Sequence, residues 1–381
     1  MKKILICLLC CSMFFFSGCS RTQNTDSSKN EHTVTGKMEL KYAEQFSADR
    51  CSDGCSIIST GGEKYLLVPS ENNDENHGTS CGMTVIRQPE NNIYLAASSA
   101  MDFFDELGLL DRIKFTSTSA ENWSLENVKK AVSNEDIFYV GKYSAPDYEF
   151  LLSEGCSLAV ESTMINHNPE VREQLIRLGI PVITERSSYE SHPMGRTEWI
   201  KLYGLILDKE EEAEAFFEEK LETFRKVSEE VPENAIEEKT TVFFYITSNG
   251  YVNVRKPGDY ISRMISLAGG KYIFTDKDLN TNANELSTMN MQMEDFYLKA
   301  KDADFIIYNS AIDGAIETRE QLISKSELFR DFKAVRENNV WCTGQNMFQK
   351  TSGTADMIAD IKQMFSDENK SGEYNFIRHV K

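Results

Sequence analysis

A five-residue segment, Arg-Glu-Gln-Leu-Ile, occurs twice in the chain, at 172–176 and again at 319–323. Each copy follows an apolar segment that is typical of a buried strand. Each of these strands follows a helical pattern that begins at a glutamate, Glu149 in the first half and Glu294 in the second. This shared order of helix, strand and helix indicates a duplicated lobe.

Strand and helix patterns alternate within each half of the chain. In the first half, strand patterns at 93–97, 157–161 and 180–184 are separated by helical segments. Alternation of this kind produces βαβ units and a mainly parallel sheet.

A long helical pattern separates the two halves. Asp208 and Glu211, three residues later, form a capping-box pattern. Phe217, Leu221 and Phe224 follow at helical spacing, which predicts one unbroken helix of roughly 30 Å. We therefore predict an α/β fold, with two Rossmann-like α/β lobes joined by one long α-helix. The expected boundaries are 82–207 for the N-terminal lobe, 208–230 for the linker helix and 237–375 for the C-terminal lobe.

Residues 40–70 alternate apolar and polar side chains around turn signals, which predicts a small N-terminal β-meander, assigned to 39–75. Cys51 and Cys55 bracket a tight turn and could face each other across a hairpin. Their spacing does not decide whether they form a disulfide. A zinc site would need a second cysteine pair at similar spacing, so we predict no metal site.

The N-terminus carries the pattern of an export signal. Two lysines precede an apolar run at 4–16, which is short for a membrane span and typical of a signal peptide. The run ends in Phe-Ser-Gly before Cys19, the pattern of a bacterial lipoprotein signal. We expect 1–18 to be removed and Cys19 to be acylated, so that the lipid bilayer is one partner. The alternatives are an ordinary signal peptide with a chance cysteine, or an N-terminal anchor helix.

Polar residues at 19–38 predict a flexible tether after the lipid. The expected location is therefore extracytoplasmic, on the outer face of the cell membrane or in the periplasm. Lys and Arg total 41 against 60 Asp and Glu, a formal net charge of -19, which argues against nucleic acid as a partner. The mean hydropathy of -0.42 excludes a polytopic membrane protein.

Catalytic signatures are absent from the sequence. The Gly-Gly-Lys segment at 269–271 lacks the upstream glycine and the following Ser or Thr of a phosphate loop. A segment from Asp276 resembles a calcium loop, but Thr281 replaces the required glycine and Ser287 the bidentate glutamate. We therefore predict no catalytic residues, no cofactor and a protein that is not an enzyme.

Several stretches between about residues 90 and 370 resemble the helix-linked substrate-binding proteins of bacterial ABC importers. These proteins serve ferric siderophores, haem, cobalamin and related complexes. The most specific stretches are GKYSAPDYE at 141–149, ESTMI at 161–165, ERSSYESHPMGRTEW at 185–199, GDYI to LAGG at 258–270 and MEDF to ADFII at 293–307. The order of signal, tether, lobe, capped linker helix and second lobe is also similar.

The resemblance implies that one carboxylate on each lobe docks onto arginines of the permease. Glu149 and Glu294 occupy the matching positions, and two separated charges would fix orientation and speed encounter. The alternative is a pair of solvated glutamates that the helix dipole favours at helix starts. The expected partners are therefore an ABC transporter permease and a small metal chelate, bound by a monomer.

Ligands of open α/β lobes bind beyond the carboxyl ends of the strands. The candidate ligand-binding residues are Ser98, Ser99, Trp123, Tyr143, Glu161, Ser162, Thr163, Tyr189, Tyr245, Arg255 and Asn309. Trp123 could stack on a planar ligand, and Arg255 could pair with a carboxylate or catecholate. The alternatives are capping hydroxyls and packed aromatics. His167 and His192 could ligate a metal directly, although a surface or supporting role is favoured for both.

The predicted function is capture of a ferric siderophore, haem or corrinoid between two lobes and its delivery to the permease. The alternative is a lipid-anchored surface enzyme, a metal-dependent hydrolase or chelatase, that uses the same cleft. The sequence does not decide between these ligands.

Overall fold

Three β-sheets organise the computed structural model of the chain. It describes residues 32–72, 82–229, 239–279 and 287–381. The predictions for the signal peptide, for acylation of Cys19 and for most of the tether lie outside these ranges. Across the described part of the chain, every helix is too short or too polar to cross a membrane.

The first sheet is built by the N-terminal segment. Its strands are β1 (Val34–Lys37), β2 (Phe46–Cys51), β3 (Ser56–Thr60), β4 (Glu63–Val68) and β5 (Thr84–Arg87). The first four pair antiparallel in chain order, and β5 pairs parallel with β4. Alternate residues of the central strands, such as Ile58 and Tyr65, are buried against the rest of the chain.

The sheet is larger than the predicted meander at 39–75. Strand β1 falls inside the predicted tether at 19–38, and β5 falls inside the predicted lobe at 82–207. The reason is that β1 is an edge strand with largely exposed side chains, so its sequence shows no apolar alternation. Strand β5 pairs with β4 although a long segment separates the two strands in sequence, a pairing that periodicity does not reveal.

The N-terminal lobe contains a five-stranded, wholly parallel sheet, as predicted. Its strands are β6 (Ile93–Leu95), β7 (Ile113–Thr116), β8 (Phe138–Tyr139), β9 (Ala159–Ser162) and β10 (Val182–Glu185), in the spatial order β10-β9-β6-β7-β8. The helices between them are α1 (Met101–Glu106), α2 (Glu126–Ser133), α3 (Tyr148–Ser153) and α4 (Pro169–Arg177).

Three consecutive helices follow: α5 (Pro193–Glu198), α6 (Ile200–Ile206) and α7 (Glu210–Glu229). The last has 20 residues, as the linker prediction required. The predicted capping box is wrong, because Asp208 has a φ of 59° and lies before the helix rather than capping it. The Lys209 N–H donates to the Gly204 carbonyl at 2.7 Å, so Asp208 ends α6 in the left-handed position of a Schellman turn.

The C-terminal lobe contains a seven-stranded mixed sheet. Its strands are β11 (Lys239–Ile246), β12 (Val252–Arg255), β13 (Gly270–Tyr272), β14 (Thr288–Met291), β15 (Phe305–Tyr308), β16 (Val340–Thr343) and β17 (Ile377–His379). Its helices are α8 (Tyr260–Leu267), α9 (Asp276–Leu279), α10 (Met293–Ala300), α11 (Ser310–Asp313), α12 (Arg319–Lys325), α13 (Lys333–Arg336) and α14 (Thr354–Ser366). Strands β13, β11, β15 and β16 run parallel to one another. Strands β12, β14 and β17 run antiparallel to their neighbours.

Short 3-10 helices complete the described chain. They are Ser70–Asn72, Leu110–Arg112, Ala120–Asn122, Thr163–His167, Ser187–Tyr189, Glu327–Asp331, Gln345–Phe348 and Thr351–Gly353. The two lobes repeat one order of elements, α3-β9-α4 in the first and α10-β15 followed by α12 in the second. The two copies of Arg-Glu-Gln-Leu-Ile therefore lie in matching helices.

Two buried glutamates fasten the N-terminal segment onto the helices after the first lobe. The Glu198 carboxylate accepts the backbone N–H groups of residues 41–43 at 2.7–3.0 Å. Glu190 accepts those of residues 44–45 and the Trp199 indole N–H at 2.8–3.0 Å. Because these carboxylates are buried, the N–H groups replace the water that would otherwise solvate them.

Gly204 is expected to be intolerant of a side chain. A Cβ at this position would lie 2.5 Å from the Ala213 Cβ and 2.9 Å from the Lys209 carbonyl oxygen, where α6 meets α7. Gly204→Ala should therefore lower the free energy of unfolding by about 1–3 kcal/mol, measured by urea denaturation. Gly258→Ala is the control, because a Cβ there meets nothing within 4 Å. Equal stability of the two variants would contradict this packing.

Candidate functional site

The carboxyl ends of three neighbouring strands of the C-terminal lobe form one polar edge. Phe244 pairs with Tyr308 and Tyr308 with Cys342, so the next residue on each strand lies at the same level. These residues are Tyr245, Asn309 and Thr343. The structure thus brings together two predicted ligand-binding residues and adds Thr343, which the sequence analysis missed because a single threonine after a strand carries no distinctive pattern.

Asn309 and Thr343 are buried, and their polar atoms are unpaired. Neither atom of the Asn309 amide, nor the Thr343 hydroxyl, has a hydrogen-bond partner among the described residues. A buried polar group without a partner costs about 1–3 kcal/mol. Such a cost is typical of groups that a ligand or a bound water satisfies.

Arg255 lies on the same face of this sheet. Its guanidinium carbon is 5.6–5.8 Å from the ring centroids of Phe243, Tyr260 and Phe348. Its Nη1 is 3.4 Å from the Asp259 Oδ2. Burial is the largest single effect and works to lower the pKa of Arg255, but the charge of Asp259 and those of Tyr260, Tyr272 and Tyr245 together raise it above its ordinary value.

A second buried arginine approaches from α5. The Arg196 guanidinium carbon lies 4.1 Å from the Tyr260 ring centroid, and its Nε has no acceptor among the described residues. Burial raises the pKa of Asp259, while Arg255 and then Arg196 act to lower it. The cluster thus holds two guanidinium groups and one carboxylate, all at most 8% exposed. Arg196 is not among the predicted ligand-binding residues, because its position at a helix start is equally typical of a structural role.

Residues 345–353 connect this cluster to the N-terminal lobe. The Gln349 Oε1 accepts from the Ser124 hydroxyl at 2.6 Å, and the Thr351 hydroxyl donates to the Ser99 carbonyl at 2.8 Å. The Ser352 N–H donates to the Asp102 carboxylate at 2.6 Å. The same segment carries Phe348, whose ring packs against Arg255, so the contact between the lobes is continuous with the arginine cluster.

Six predicted residues of the N-terminal lobe lie half-buried at or just beyond the carboxyl ends of its strands. They are Ser98, Ser99, Tyr143, Ser162, Thr163 and Tyr189. The alternative of capping hydroxyls does not hold for Ser98 and Ser99, because Ala100 is the N-cap of α1 and no side chain caps it. The Ser99 hydroxyl instead donates to Glu185 at 2.9 Å, and Tyr189 stacks under Arg186 at 4.8 Å.

Trp123 is packed inside the lobe rather than presented to a ligand. It is 2% exposed, and its indole N–H donates to the Thr118 carbonyl at 3.0 Å. Its large apolar ring is buried in the main core, which accounts for its position after β7. The structure therefore does not support the stacking role that we predicted for Trp123.

Glu161 also lies inside the lobe, on β9. It is fully buried, and neither carboxyl oxygen has a hydrogen-bond partner among the described residues. Burial raises the pKa of its carboxyl to about 8. After burial itself, the charge of Glu161 is the largest cause that raises the pKa of Tyr94 and of Tyr148. The ligand contact that we predicted for Glu161 stays a prediction.

A polar cavity of about 760 Å³ lies between the N-terminal sheet and the N-terminal lobe. Its lining includes the turn at Gly61, the strand residue Thr184 and the cations Arg172 and Arg186. Arg172 is paired with Glu63. The cavity adjoins the carboxyl end of β10, so the N-terminal sheet borders the same edge of the lobe as the candidate ligand residues.

Glu149 and Glu294 occupy equivalent places in the two lobes. Each is the second residue of its helix, in α3 and α10, and each is exposed.

The two histidines that could ligate a metal directly, His167 and His192, are poorly placed to do so. His167 is exposed at the end of a 3-10 helix, whereas His192 accepts the Met194 N–H at 3.1 Å and stacks on Tyr42.

The chain is similar to proteins of one family. The sequence model described as periplasmic binding protein matches residues 93–347, which is more than half of the chain. An uncharacterized lipoprotein of Methanocaldococcus jannaschii is 22% identical, over 98% of this chain and 95% of that protein.

Solved structures share the fold. A periplasmic haem-binding protein of Pseudomonas aeruginosa aligns with a TM-score of 0.61 and 14% identity, over 77% of this chain and 98% of that one. The petrobactin-binding protein of Bacillus subtilis aligns with a TM-score of 0.56 and 14% identity, over 73% and 94%. The α/β fold of two lobes joined by a long helix is therefore confirmed.

Glu161 should make stability depend on pH. Its carboxyl has a pKa of about 8 when folded and an ordinary value of 4.5, so the folded state holds the proton more tightly. Stability should therefore fall as pH rises from about 5 to 8, by at most about 1.4 kcal/mol per pH unit. Glu161→Gln should remove this slope in urea unfolding at several pH values. An unchanged slope would show that Glu161 is ionised in the folded protein.

Proposed function

The chain belongs to the periplasmic binding protein family, and we propose that it is the extracytoplasmic substrate-binding lipoprotein of an ABC importer. Its cargo is a metal chelate with acidic oxygens, of the ferric siderophore, haem or corrinoid type. The family consists of substrate-binding proteins and not of enzymes, so the alternative of a surface enzyme is set aside.

The observation that carries this proposal is the buried pair Arg196 and Arg255 where the lobes meet. Among the described residues, these two guanidinium groups face one carboxylate, Asp259, which leaves one positive charge in excess there. Burying an uncompensated charge is costly. An anionic ligand offsets that cost, because a carboxylate or catecholate accepts paired hydrogen bonds from a guanidinium.

The surroundings suit the body of such a ligand. Tyr260 and Phe348 supply aromatic faces beside the arginines, and Tyr245 with Asn309 supplies polar groups at the strand edge. Apolar walls with a few convergent polar groups are typical of small-molecule sites. The petrobactin- and haem-binding proteins that share the fold bind chelates of this class.

Delivery to the permease is assigned to Glu149 and Glu294. Their equivalent places in two duplicated lobes give a pair of negative charges, one on each lobe, that can dock on cations of a membrane partner. Acylation of Cys19 would hold the protein near that partner. Acylation is supported by the sequence pattern around Cys19 and by the description of the archaeal relatives as lipoproteins.

A ligand screen tests the cargo. The chain from residue 20 onward is mixed with ferric siderophores, haem, cobalamin or free divalent ions, and its melting is followed. A ligand at 100 times its Kd should stabilise the protein by about 2.7 kcal/mol.

Arginine variants test the binding site. Arg255→Gln and Arg196→Gln should weaken binding of that ligand by about ten- to a hundredfold. Arg330→Gln, an exposed arginine paired with Glu327, should leave affinity unchanged. Equal affinity of all three variants for the ligand would exclude the arginine cluster as the binding site.

Charge reversal tests docking. Glu149→Lys with Glu294→Lys should leave ligand affinity intact and lower ligand uptake by cells at least tenfold, because a repulsive charge replaces each docking contact. The matched control is Glu126→Lys with Glu320→Lys, two exposed glutamates in the first turns of other helices, one in each lobe. If both pairs reduce uptake equally, the first pair has only the general role of helix-start glutamates.

A further inference from the structure

Three side chains of different chemistry converge where the chain enters the N-terminal sheet. A nitrogen of His32, a carboxylate oxygen of Asp53 and the Cys55 sulfur all lie within 4.8 Å of one another. The His32 Nδ1 is 2.7 Å from the Asp53 Oδ2. We propose that His32, Asp53 and Cys55 bind a divalent transition-metal ion, with zinc as the best match, at a site separate from the ligand cleft.

The donor set favours zinc. Imidazole nitrogen, carboxylate oxygen and thiolate sulfur are its three usual protein ligands, with bonds of about 2.0–2.3 Å. A tetrahedral site of that size places its ligand atoms roughly 3.5 Å apart, so small side-chain rotations close the present cluster around an ion. One thiolate and one carboxylate also balance the charge of a divalent cation.

Burial distinguishes this cluster from an ordinary surface acid. The His32 side chain is 6% exposed and Cys55 is 1% exposed, whereas the Asp53 side chain is 30% exposed. The site is thus enclosed on the nitrogen and sulfur sides and open at the carboxylate. Three protein ligands are the usual number for a zinc ion whose fourth ligand is water.

The backbone holds the three residues in place. The Ser52 N–H donates to the Thr33 carbonyl at 2.9 Å, which ties the neighbour of His32 to the turn after β2. Within that turn, the Cys55 N–H donates to the Asp53 Oδ1 at 3.2 Å. Asn72 adds a side-chain N–H to the Asp53 carbonyl at 2.6 Å. The backbone around the three residues is therefore already ordered before an ion binds.

Cys51 is the alternative partner for Cys55. No disulfide joins the two described cysteines, although they begin and end the same turn. Cys55 is the sulfur that faces the histidine and the carboxylate.

A bound ion would fasten the end of the tether to the sheet. It would link His32 to the turn at 53–55, and so hold the exposed edge strand β1 in its register with β2. This role does not depend on the cargo of the cleft. It places a metal at the point where the predicted lipid tether meets the folded protein.

Metal titration tests the proposal. The reduced, chelator-treated chain from residue 20 onward is titrated with Zn²⁺, and with Co²⁺, whose thiolate complexes absorb in the near ultraviolet. We expect one equivalent of Zn²⁺ per chain and a sulfur-to-cobalt band. Cys55→Ser should abolish the band, and His32→Ala and Asp53→Asn should each weaken Zn²⁺ binding at least about tenfold.

Matched variants separate this site from others. Cys156→Ser and His167→Ala change a cysteine and a histidine of the N-terminal lobe and should leave Zn²⁺ affinity unchanged. Arg255→Gln should retain Zn²⁺, and Cys55→Ser should retain the cleft ligand, so the two sites fail independently. The proposal is overturned if Zn²⁺ does not bind, if Cys55→Ser binds it normally, or if Cys55 of the protein isolated from cells is bonded to Cys51.

Discussion

The buried cluster around Tyr260 holds two guanidinium groups and one carboxylate among the described residues. Two arginines pack on Tyr260: Arg196 from the helices after the first lobe and Arg255 from the second lobe. The nearby carboxylate is that of Asp259, which pairs with Arg255. Because buried charge must be compensated, this cluster limits what the space between the lobes can accept. An apolar or cationic ligand would leave the excess charge in place, whereas an acidic chelate would neutralise it.

The remaining architecture supports this contact. The 20-residue helix α7 packs on α6 and α14, which fixes how one lobe meets the other. Glu190 and Glu198 fasten the N-terminal segment over the same helices through backbone N–H groups. The N-terminal sheet is therefore held against the first lobe, and the polar cavity between them lies beside β10.

The sequence predicted the elements that repeat and missed those that do not. Periodicity identified both lobes and α7, because their apolar residues recur at the spacing of strands and helices. It missed β1, an exposed edge strand, and it misassigned Asp208, whose left-handed backbone ends one helix instead of capping the next.

The candidate site was only partly predictable for a similar reason. Ligands bind at the carboxyl ends of strands, and this rule located Tyr245 and Asn309 correctly at one edge of the sheet. The rule gives no information on how deeply each side chain is buried. Trp123 and Glu161 fall in the right segments and are enclosed by their own lobe. The cluster of His32, Asp53 and Cys55 joins residues about twenty positions apart, a contact that no local spacing reveals.

Anomalous diffraction provides the most direct test of the central claim. Crystals would be grown with the chelate that stabilises the chain most in solution, and data collected at the absorption edge of its metal. The account predicts one strong peak between the lobes, with acidic oxygens of the chelate in contact with Arg255 and Arg196. A peak confined to the cavity beside Gly61, or a chelate that touches neither arginine, would contradict it.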